Sequence, residues 1–247
     1  MKNAAQTLRV PLSPLRSGEV VLDEPAARYV GRVHRLGAGD RFVAFDPEAA
    51  SEADVEITSA GRDVRVRIGE LRRAANVATP GLTLFQGIGK ADKPEQVLRA
   101  ATVLGVEHVV FVESRRAVVR AGERGDAKRR RWQAVAVEAA RQSGRGDVPR
   151  VSGPLPLDEA VNLSSGSMHR VYLSPDAERG LADVLDGVRR AATLAVFIGP
   201  EGGLDGEEEA ALAASGFVSA ALGQFVLRTE TATVAVLGAI AALVREG

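Results

Sequence analysis

The pattern of apolar residues changes once along the chain, close to Gly81, and this change constrains the fold more than any other feature. After Gly81, short apolar runs alternate with segments of helical periodicity, which is typical of an α/β fold with a mostly parallel sheet. The runs predict strands at Leu82–Phe85, Val109–Val112, Arg170–Leu173, Leu194–Ile198 and Ala220–Leu222.

Before Gly81 the apolar runs are short, and no long helical pattern separates them. Strands are predicted at Arg41–Phe45, Asp54–Ile57 and Val64–Ile68, and the last two alternate apolar with polar residues around a turn, as in a hairpin with one buried face. A small β-barrel is the natural fold for such a segment. We therefore expect a β-barrel domain at residues 1–76 and an α/β domain at residues 77–247.

Two helices are predicted in the basic middle of the chain. The first begins at Asp92 and Glu95, which have the spacing of a capping box, and ends at Gly105. The second runs from about Ala127 to Gln142. Arg129–Arg131 lie near its N-terminus, where positive charge opposes the helix dipole, and this placement suggests an anionic partner outside the chain.

The net charge is zero, but residues 77–150 hold 14 basic and 8 acidic side chains. The densest cluster of positive charge extends from Arg115 to Arg131 and would attract a polyanion such as RNA. A solvated helix face beside a loop is the alternative interpretation of the same residues.

Composition excludes several kinds of chemistry. The chain has no cysteine, so disulfides and thiolate nucleophiles are excluded, and His34, His108 and His169 are isolated in sequence, so we expect no metal site. The apolar run Thr231–Val244 is shorter than the roughly 20 residues that span a bilayer, and no secretory signal is recognised at the N-terminus. We expect a cytoplasmic protein, with this run forming a buried helix that a second subunit helps to cover.

A glycine-rich loop follows the predicted strand Leu194–Ile198: Gly199-Pro200-Glu201-Gly202-Gly203. Ligands of open α/β sheets bind at the carboxyl ends of strands, and glycines let a ligand approach the backbone closely. The spacing matches neither a dinucleotide-binding fingerprint nor a P-loop, and Glu201 would repel a phosphate. A turn with only a structural role remains an alternative. Asp205 and Glu208, just after the loop, form a further capping-box pair.

A second polar segment, Leu222–Ala232, lies between the last predicted strand and the apolar helix. Arg228 and Glu230 are ionisable groups at the start of a helix that is otherwise uncharged until Arg245, which suggests a site. Helix capping by Thr229 or Thr231 is the alternative role for the hydroxyl groups of this segment.

Taken together, the motifs Gly199-Pro200-Glu201-Gly202-Gly203 and Leu227-Arg228-Thr229-Glu230-Thr231-Ala232 resemble the signature of RsmE-type ribosomal RNA uridine-N3 methyltransferases. Similarity extends to Gln86–Lys90, Leu104–Val106, Trp132, Gln142–Arg145 and Val33–Asp40. The resemblance implies a SPOUT-type methyltransferase domain with a trefoil knot, preceded by a PUA-like β-barrel, in a homodimer whose cofactor pockets lie near the subunit interface. The chain departs from typical members at Ala100, Val103 and Arg141.

The resemblance also implies roles for individual residues. The cofactor would be S-adenosylmethionine, the substrate a uridine in the 3′ region of 16S rRNA within the small ribosomal subunit, and neither a metal nor a membrane would take part. Arg228 would stabilise charge on the uracil, and Glu230 would orient Arg228 or act as base. The cofactor-binding residues would be Leu173, Ile198, Gly199, Pro200, Glu201, Gly202, Gly203, Leu222, Gly223, Leu227, Arg228, Thr229, Thr231 and Ala232. The RNA-binding residues would be Arg9, Arg35, Arg115, Arg116, Arg120, Arg129 and Arg130.

Three other functions remain open from the sequence. The chain could be a SPOUT-type methyltransferase that acts on a different RNA nucleotide. A phosphate-binding or nucleotide-hydrolysing α/β enzyme would use the glycine loop differently, and a non-catalytic RNA-binding module would follow from the β-barrel and the basic segment alone. Neither of the last two accounts for both C-terminal motifs.

Overall fold

The computed structural model describes residues 8–61, 63–78, 81–116, 125–186 and 193–243. The chain divides into two compact units. The first contains the residues up to Val77 together with Ala140–Val148, and the second contains Ala78–Ala139 together with the residues from Pro149 onward. The boundary at Val77 lies one residue beyond the expected end of the first domain, and the segment Ala140–Val148 of the first unit was not expected there.

The first unit is built on a six-stranded sheet with the order β1-β3-β4-β5-β2, to which β6 adds by pairing with β4. The predicted hairpin of β4 and β5 is confirmed, with antiparallel pairing. Among the described residues the path runs from β1 to β2 without a pairing that closes it, so the barrel remains a prediction. The strands are β1 (Arg9–Pro11), β2 (Gly18–Val21), β3 (Arg41–Asp46), β4 (Ser51–Ala60), β5 (Val64–Ile68) and β6 (Arg72–Arg73).

A short helical segment covers the apolar face of this sheet: α1 (Glu24–Arg28) continues into a single π-helical stretch at Tyr29–Val33. Val30 is completely buried in the core that these elements share with the strands. Arg141 lies over the ring of Tyr29, with 3.5 Å between the guanidinium carbon and the ring centroid. This cation–π contact accounts for a cation at position 141.

The second unit has a six-stranded sheet with the order β12-β10-β11-β7-β8-β9, and every neighbouring pair is parallel. The predicted α/β fold with a parallel sheet is therefore confirmed. Its central strands are buried along most of their length, as expected for a sheet covered on both faces. The strands are β7 (Gly81–Gly87), β8 (His108–Glu113), β9 (Arg150–Pro156), β10 (His169–Leu173), β11 (Thr193–Ile198) and β12 (Val218–Ala220).

The helices that follow β7 in the chain are α2 (Lys93–Val103), α3 (Gly125–Ser143), α4 (Leu157–Leu163), α5 (Leu181–Leu185), α6 (Gly206–Ala214) and α7 (Thr229–Leu243). All lie in the second unit except the last residues of α3, from Ala140 onward. The capping box predicted for Asp205 and Glu208 is present at the start of α6. The one predicted for Asp92 is wrong, because Asp92 has a non-extended backbone and its carboxylate instead accepts a hydrogen bond from the side chain of Gln96.

Helix α7 is the apolar helix that the sequence predicted, and it packs against α2. Val236, Leu237 and Ile240 on its inner face are buried, whereas Val234 is half exposed. Within the described part of the chain, no helix combines the length and apolar character needed to cross a membrane. The loops after β10, β11 and β12 all leave the same edge of the parallel sheet, and this edge carries the candidate site.

Candidate active site

A cavity of about 800 Å³ lies at the carboxyl ends of β10, β11 and β12. This volume falls within the range of small-molecule and cofactor sites, and the position is the one at which open α/β sheets bind ligands. The cavity is lined by Lys93, Arg116, Leu173, Ser174, Pro175, Asp176, Gly199, Pro200, Glu201, Gly203, Leu204, Glu209, Ala220, Leu222, Gly223, Gln224, Phe225, Val226, Leu227, Arg228, Thr229 and Ala232.

The first wall of the cavity is the glycine loop between β11 and α6. The N–H of Gly203 donates to the carbonyl of Pro200 at 2.9 Å, which closes a turn, and Gly203 has a φ of 71°. A glycine adopts this left-handed conformation without steric cost. The capping box at Asp205 then fixes the exit of the loop into α6.

The glycine loop also approaches the end of β7 at very short range. A Cβ atom built on Gly87 would lie 2.8 Å from the carbonyl carbon of Gly199 and still closer to the backbone nitrogen of Pro200. Any side chain at position 87 would therefore push the loop away from the sheet. This contact accounts for a glycine at the end of β7.

The second wall is the irregular segment between β12 and α7. Within the described part of the chain, the backbone groups of Leu222–Leu227 form no hydrogen bond with other backbone groups. Phe225 and Val226 are 75% and 82% exposed, which is unusual for apolar side chains. The segment therefore offers both free backbone donors and acceptors and an uncovered apolar surface.

A buried chain of hydrogen bonds joins the two walls to β7. The side-chain amide of Gln86 donates to the hydroxyl of Thr229 at 2.9 Å, and that hydroxyl donates to the carbonyl of Gly199 at 2.7 Å. The hydroxyl of Thr233 lies 2.7 Å from the amide oxygen of Gln86. The Gln86 and Thr233 side chains are almost completely buried, so these bonds are protected from competition by water.

An ion-pair cluster lies beside the cavity. The ammonium group of Lys93 is 3.0 Å from a carboxylate oxygen of Glu201 and 3.2 Å from one of Glu230. The hydrogen bond to Glu201, reinforced by Glu230 and opposed by burial, raises the pKa of Lys93. Burial raises the pKa of Glu201, but hydrogen bonds from its own N–H, from Lys93 and from the N–H of Lys90 outweigh this effect and lower it.

Most of the predicted cofactor-binding residues line the cavity. The exceptions are Ile198, Gly202 and Thr231. Ile198 is the last residue of β11 and is buried in the sheet, Gly202 packs against Arg116, and Thr231 is exposed on α7. The hydroxyl of Thr229 is occupied by Gln86 and Gly199, so this side chain supports the wall of the cavity.

The two predicted catalytic residues lie in different environments. Arg228 is exposed and lines the cavity. Glu230 is not among the lining residues and faces Lys93 instead. A hydrogen bond from its own backbone N–H is the first reason why the pKa of Glu230 is lowered, and Lys93 lowers it further against the effect of burial. A carboxylate with a lowered pKa is a weak base, so its position and charge favour an orienting role.

The predicted RNA-binding arginines differ in their exposure and in their partners within the chain. Arg9 is largely buried in an ion pair with Glu52, at 2.7 Å, which gives it a structural role within the first sheet. Arg116 lies at the cavity, where its guanidinium donates to the carbonyl groups of Gly202 and Leu204. Arg120 lies outside the described residues. The remaining residues are exposed: Arg115, which pairs with Glu207, Arg129, which pairs with Asp126, Arg35 and Arg130.

Several lining residues were missed from the sequence. Ser174, Pro175 and Asp176 directly follow β10, so the rule that ligands bind at the carboxyl ends of parallel strands could have identified them. Lys93 gives no comparable signal, because nothing in the sequence relates it to residues more than 100 positions away. Among the described residues, no group of three or more histidines and carboxylates could hold a metal ion.

A parallel α/β sheet whose C-terminal loops enclose a cofactor-sized cavity is typical of enzymes that bind nucleotides or cofactors, and comparison with known proteins shows the family. The family model of the RNA methyltransferase domain matches residues 78–241. The ribosomal RNA small subunit methyltransferase E of Mycobacterium bovis is 32% identical over 97% of this chain and 92% of its own length. The chain thus belongs to the ribosomal RNA small subunit methyltransferase E family of RNA methyltransferases.

Solved structures agree with this assignment. A methyltransferase of Legionella pneumophila in complex with S-adenosylmethionine superposes with a TM-score of 0.86 and 28% identity, over 96% of this chain and 97% of the other. A ribosomal RNA small subunit methyltransferase E of Neisseria gonorrhoeae, bound to S-adenosylmethionine, gives a TM-score of 0.86 and 27% identity, over 96% of this chain and 98% of the other.

Proposed function

We propose that this protein uses S-adenosylmethionine to methylate N3 of a uridine in 16S rRNA of the small ribosomal subunit. The observation that supports this function most directly is the cavity enclosed by the two C-terminal loops. The names of the relatives support ribosomal RNA as the substrate and S-adenosylmethionine as the cofactor. The choice of uridine N3 rests on the two sequence motifs that form the cavity walls.

The residues present fit this cofactor. The free backbone groups of Leu222–Leu227 can bind the polar edge of an adenine, and Leu173 and Leu222 provide apolar contact for its faces. The lining supplies the carboxylates of Asp176, Glu201 and Glu209 for the cationic groups of the cofactor and the cations Lys93, Arg116 and Arg228 for its carboxylate. When bound, the cofactor supplies an electrophilic methyl group on sulfur.

Arg228 is the residue that we assign to the substrate side of the reaction. N3 of uracil loses a proton as it gains a methyl group, and negative charge spreads to the two flanking carbonyl oxygens. The guanidinium of Arg228 lines the cavity and can donate hydrogen bonds to such an oxygen. Its exposure in this structure leaves it free to reach an incoming base.

RNA and a second subunit are the proposed partners. Arg35, Arg115, Arg129 and Arg130 are exposed cations that can contact phosphates. The first unit would be the PUA-like barrel that helps to hold the RNA, and the second unit would contain the trefoil knot. Phe225 and Val226, which line the cavity, and Val234 of α7 are exposed apolar side chains that a second copy of the chain would cover in a homodimer.

The decisive experiment is methyl transfer from labelled S-adenosylmethionine to small ribosomal subunits that lack the modification, followed by nucleoside analysis. We expect label in 3-methyluridine, and we expect Arg228→Ala to reduce kcat by about 10²–10³-fold, as removal of a charge-stabilising donor does elsewhere. Arg228→Lys, which keeps the charge, should retain part of the activity. Label in another nucleoside would show that the target is wrong, and no cofactor binding would exclude the methyltransferase function.

A further inference from the structure

Within the described part of the chain, Lys93 forms ion pairs both with the glycine loop and with the first turn of α7. It begins α2, whereas Glu201 belongs to the glycine loop and Glu230 to the first turn of α7. These three segments are distant in sequence, and the Lys93 ammonium group contacts a carboxylate from each of the other two. The side chain of Lys93 is 25% exposed, and those of Glu201 and Glu230 are 31% and 21% exposed, so water screens the pairs only in part.

The charges around Lys93 explain why the cluster needs a cation. Glu201 and Glu230 contribute two carboxylates, and Asp92 at the start of α2 interacts electrostatically with Lys93 as well. Two further groups favour the charged form of these carboxylates. The charge of Arg228 helps to lower the pKa of Glu230, and the N–H of Lys90 donates a hydrogen bond to Glu201 at 3.2 Å. Without Lys93, neighbouring carboxylates would repel each other and would also repel an anionic substrate.

We propose that Lys93 is a positioning residue for methyl transfer: its ammonium group holds the Glu201 loop and the Glu230 turn together and so keeps the cavity in the shape that binds the cofactor. This inference rests on the proposed function and assigns a role to a residue that neither C-terminal motif contains. Glu230 then acts through Lys93 and Arg228 rather than as the base. Lys93 cannot itself be a base at neutral pH, because the surrounding carboxylates keep it protonated.

The test compares Lys93→Met, Lys93→Arg and Lys90→Met with the wild type. Lys90→Met is the matched control: it removes a lysine charge three residues away but keeps the backbone N–H that donates to Glu201, and among the described residues the Lys90 side chain forms no ion pair. The measurements are the dissociation constant of S-adenosylmethionine by calorimetry at several pH values, the unfolding temperature without ligand, and kcat and KM for small ribosomal subunits.

We expect Lys93→Met to weaken cofactor binding by about tenfold or more, while Lys93→Arg and Lys90→Met change it by less than about threefold. Because neighbouring carboxylates without their cation take up protons more readily, cofactor affinity of Lys93→Met should partly recover as the pH falls toward 5. The second-site variant Glu230→Gln should also restore part of the affinity in the Lys93→Met background, since it removes the repulsion directly.

Equal losses in Lys93→Met and Lys90→Met would overturn the proposal, as would a loss in Lys93→Met that neither pH nor Glu230→Gln relieves. If Lys93→Met unfolds early, the recovery by Glu230→Gln and the result for Lys93→Arg still decide the matter. The proposed target can fail while this inference holds: the wild type would then bind the cofactor, with affinity that depends on Lys93, but would not methylate the ribosomal subunit. Wild type that binds no cofactor would overturn both.

Discussion

The hydroxyl group of Thr229 donates a hydrogen bond to the backbone carbonyl of Gly199, at 2.7 Å, and thereby fastens the start of α7 to the glycine loop. The same hydroxyl accepts a hydrogen bond from the buried amide of Gln86. One side chain thus joins β7, the loop after β11 and α7 at the floor of the cavity. The proposed binding of the cofactor depends on this junction, because Gly199 and Thr229 both line the cavity.

Thr229→Val tests the junction with almost no change of shape. The substitution removes the hydroxyl, leaves the Gln86 amide without its Thr229 partner, and frees the carbonyl of Gly199. A buried polar group without a partner costs about 1–3 kcal/mol, so we expect the free energy of unfolding to fall by about that amount. Cofactor affinity should fall as well, because the loop loses its attachment. Chemical denaturation and calorimetry with S-adenosylmethionine measure the two effects.

Thr231→Val provides the stability control for this substitution. Thr231 is two residues further along the same helix and its side chain is exposed, so the same chemical change should leave the free energy of unfolding within about 0.5 kcal/mol of the wild type. Equal destabilisation by the two variants would mean that the valine itself weakens the helix and that the hydrogen bond to Gly199 contributes little.

Gly87→Ala tests the close contact between β7 and the glycine loop. The new Cβ would overlap backbone atoms of Gly199 and Pro200, which cannot rotate away as a side chain can. We expect a loss of about 1–3 kcal/mol or more in the free energy of unfolding and weaker cofactor binding, because the loop must move. Gly206→Ala is the control: its Cβ would meet nothing within 4 Å at the start of α6, so stability should be kept or slightly increased.

Glu230→Gln separates an orienting role from a role as general base. Removal of a general base lowers the rate by about 10²–10⁴-fold. Glu230 faces Lys93 in the structure and not the cavity. We therefore expect kcat to decrease by less than about tenfold, and the acidic limb of the pH profile of kcat to remain. A larger decrease together with a loss of that limb would restore Glu230 as the base and would contradict the orienting role.

The extent to which the sequence predicted the site depends on how local each feature is. The Asp205 capping box involves positions three residues apart and was predicted correctly, whereas the Asp92 box failed because spacing does not fix the backbone conformation at a helix start. The two loops were located through their glycine and polar residues. The hydrogen bond between Gln86 and Thr229, which are 143 residues apart, depends on the order of the strands in the sheet. No local sequence pattern therefore predicts it.

The partners of a predicted RNA-binding residue also depend on the fold and not on local sequence. Arg9 was predicted to contact RNA, and its pairing with Glu52 could not be foreseen before the pairing of β1 with β3 and of β3 with β4 was known. A basic residue can therefore be assigned to phosphate contact only after its partners in the fold are known. Arg35, which is exposed and has a φ of 56°, remains such a candidate in the first unit.

His108 provides a prediction about the dependence of stability on pH. Burial, aided by the charge of Arg150, lowers the pKa of His108 from 6.5 to about 4, and its Nε2 atom lies 2.8 Å from the hydroxyl of Ser152. Between these two pH values the unfolded chain binds a proton at this residue and the folded chain does not. The folded state is therefore fully favoured by this group above pH 6.5 and loses that advantage as the pH falls toward 4.

His108→Gln should remove this dependence, because glutamine cannot be protonated and can still form a hydrogen bond with Ser152. Relative to the wild type, the variant should gain about 2–3 kcal/mol in the free energy of unfolding as the pH falls from 6.5 to 4. Urea denaturation at a series of pH values measures the difference, and the exposed His34, changed to Gln, is the control. Parallel curves for wild type and His108→Gln would show that His108 is protonated in the folded protein as readily as in the unfolded chain.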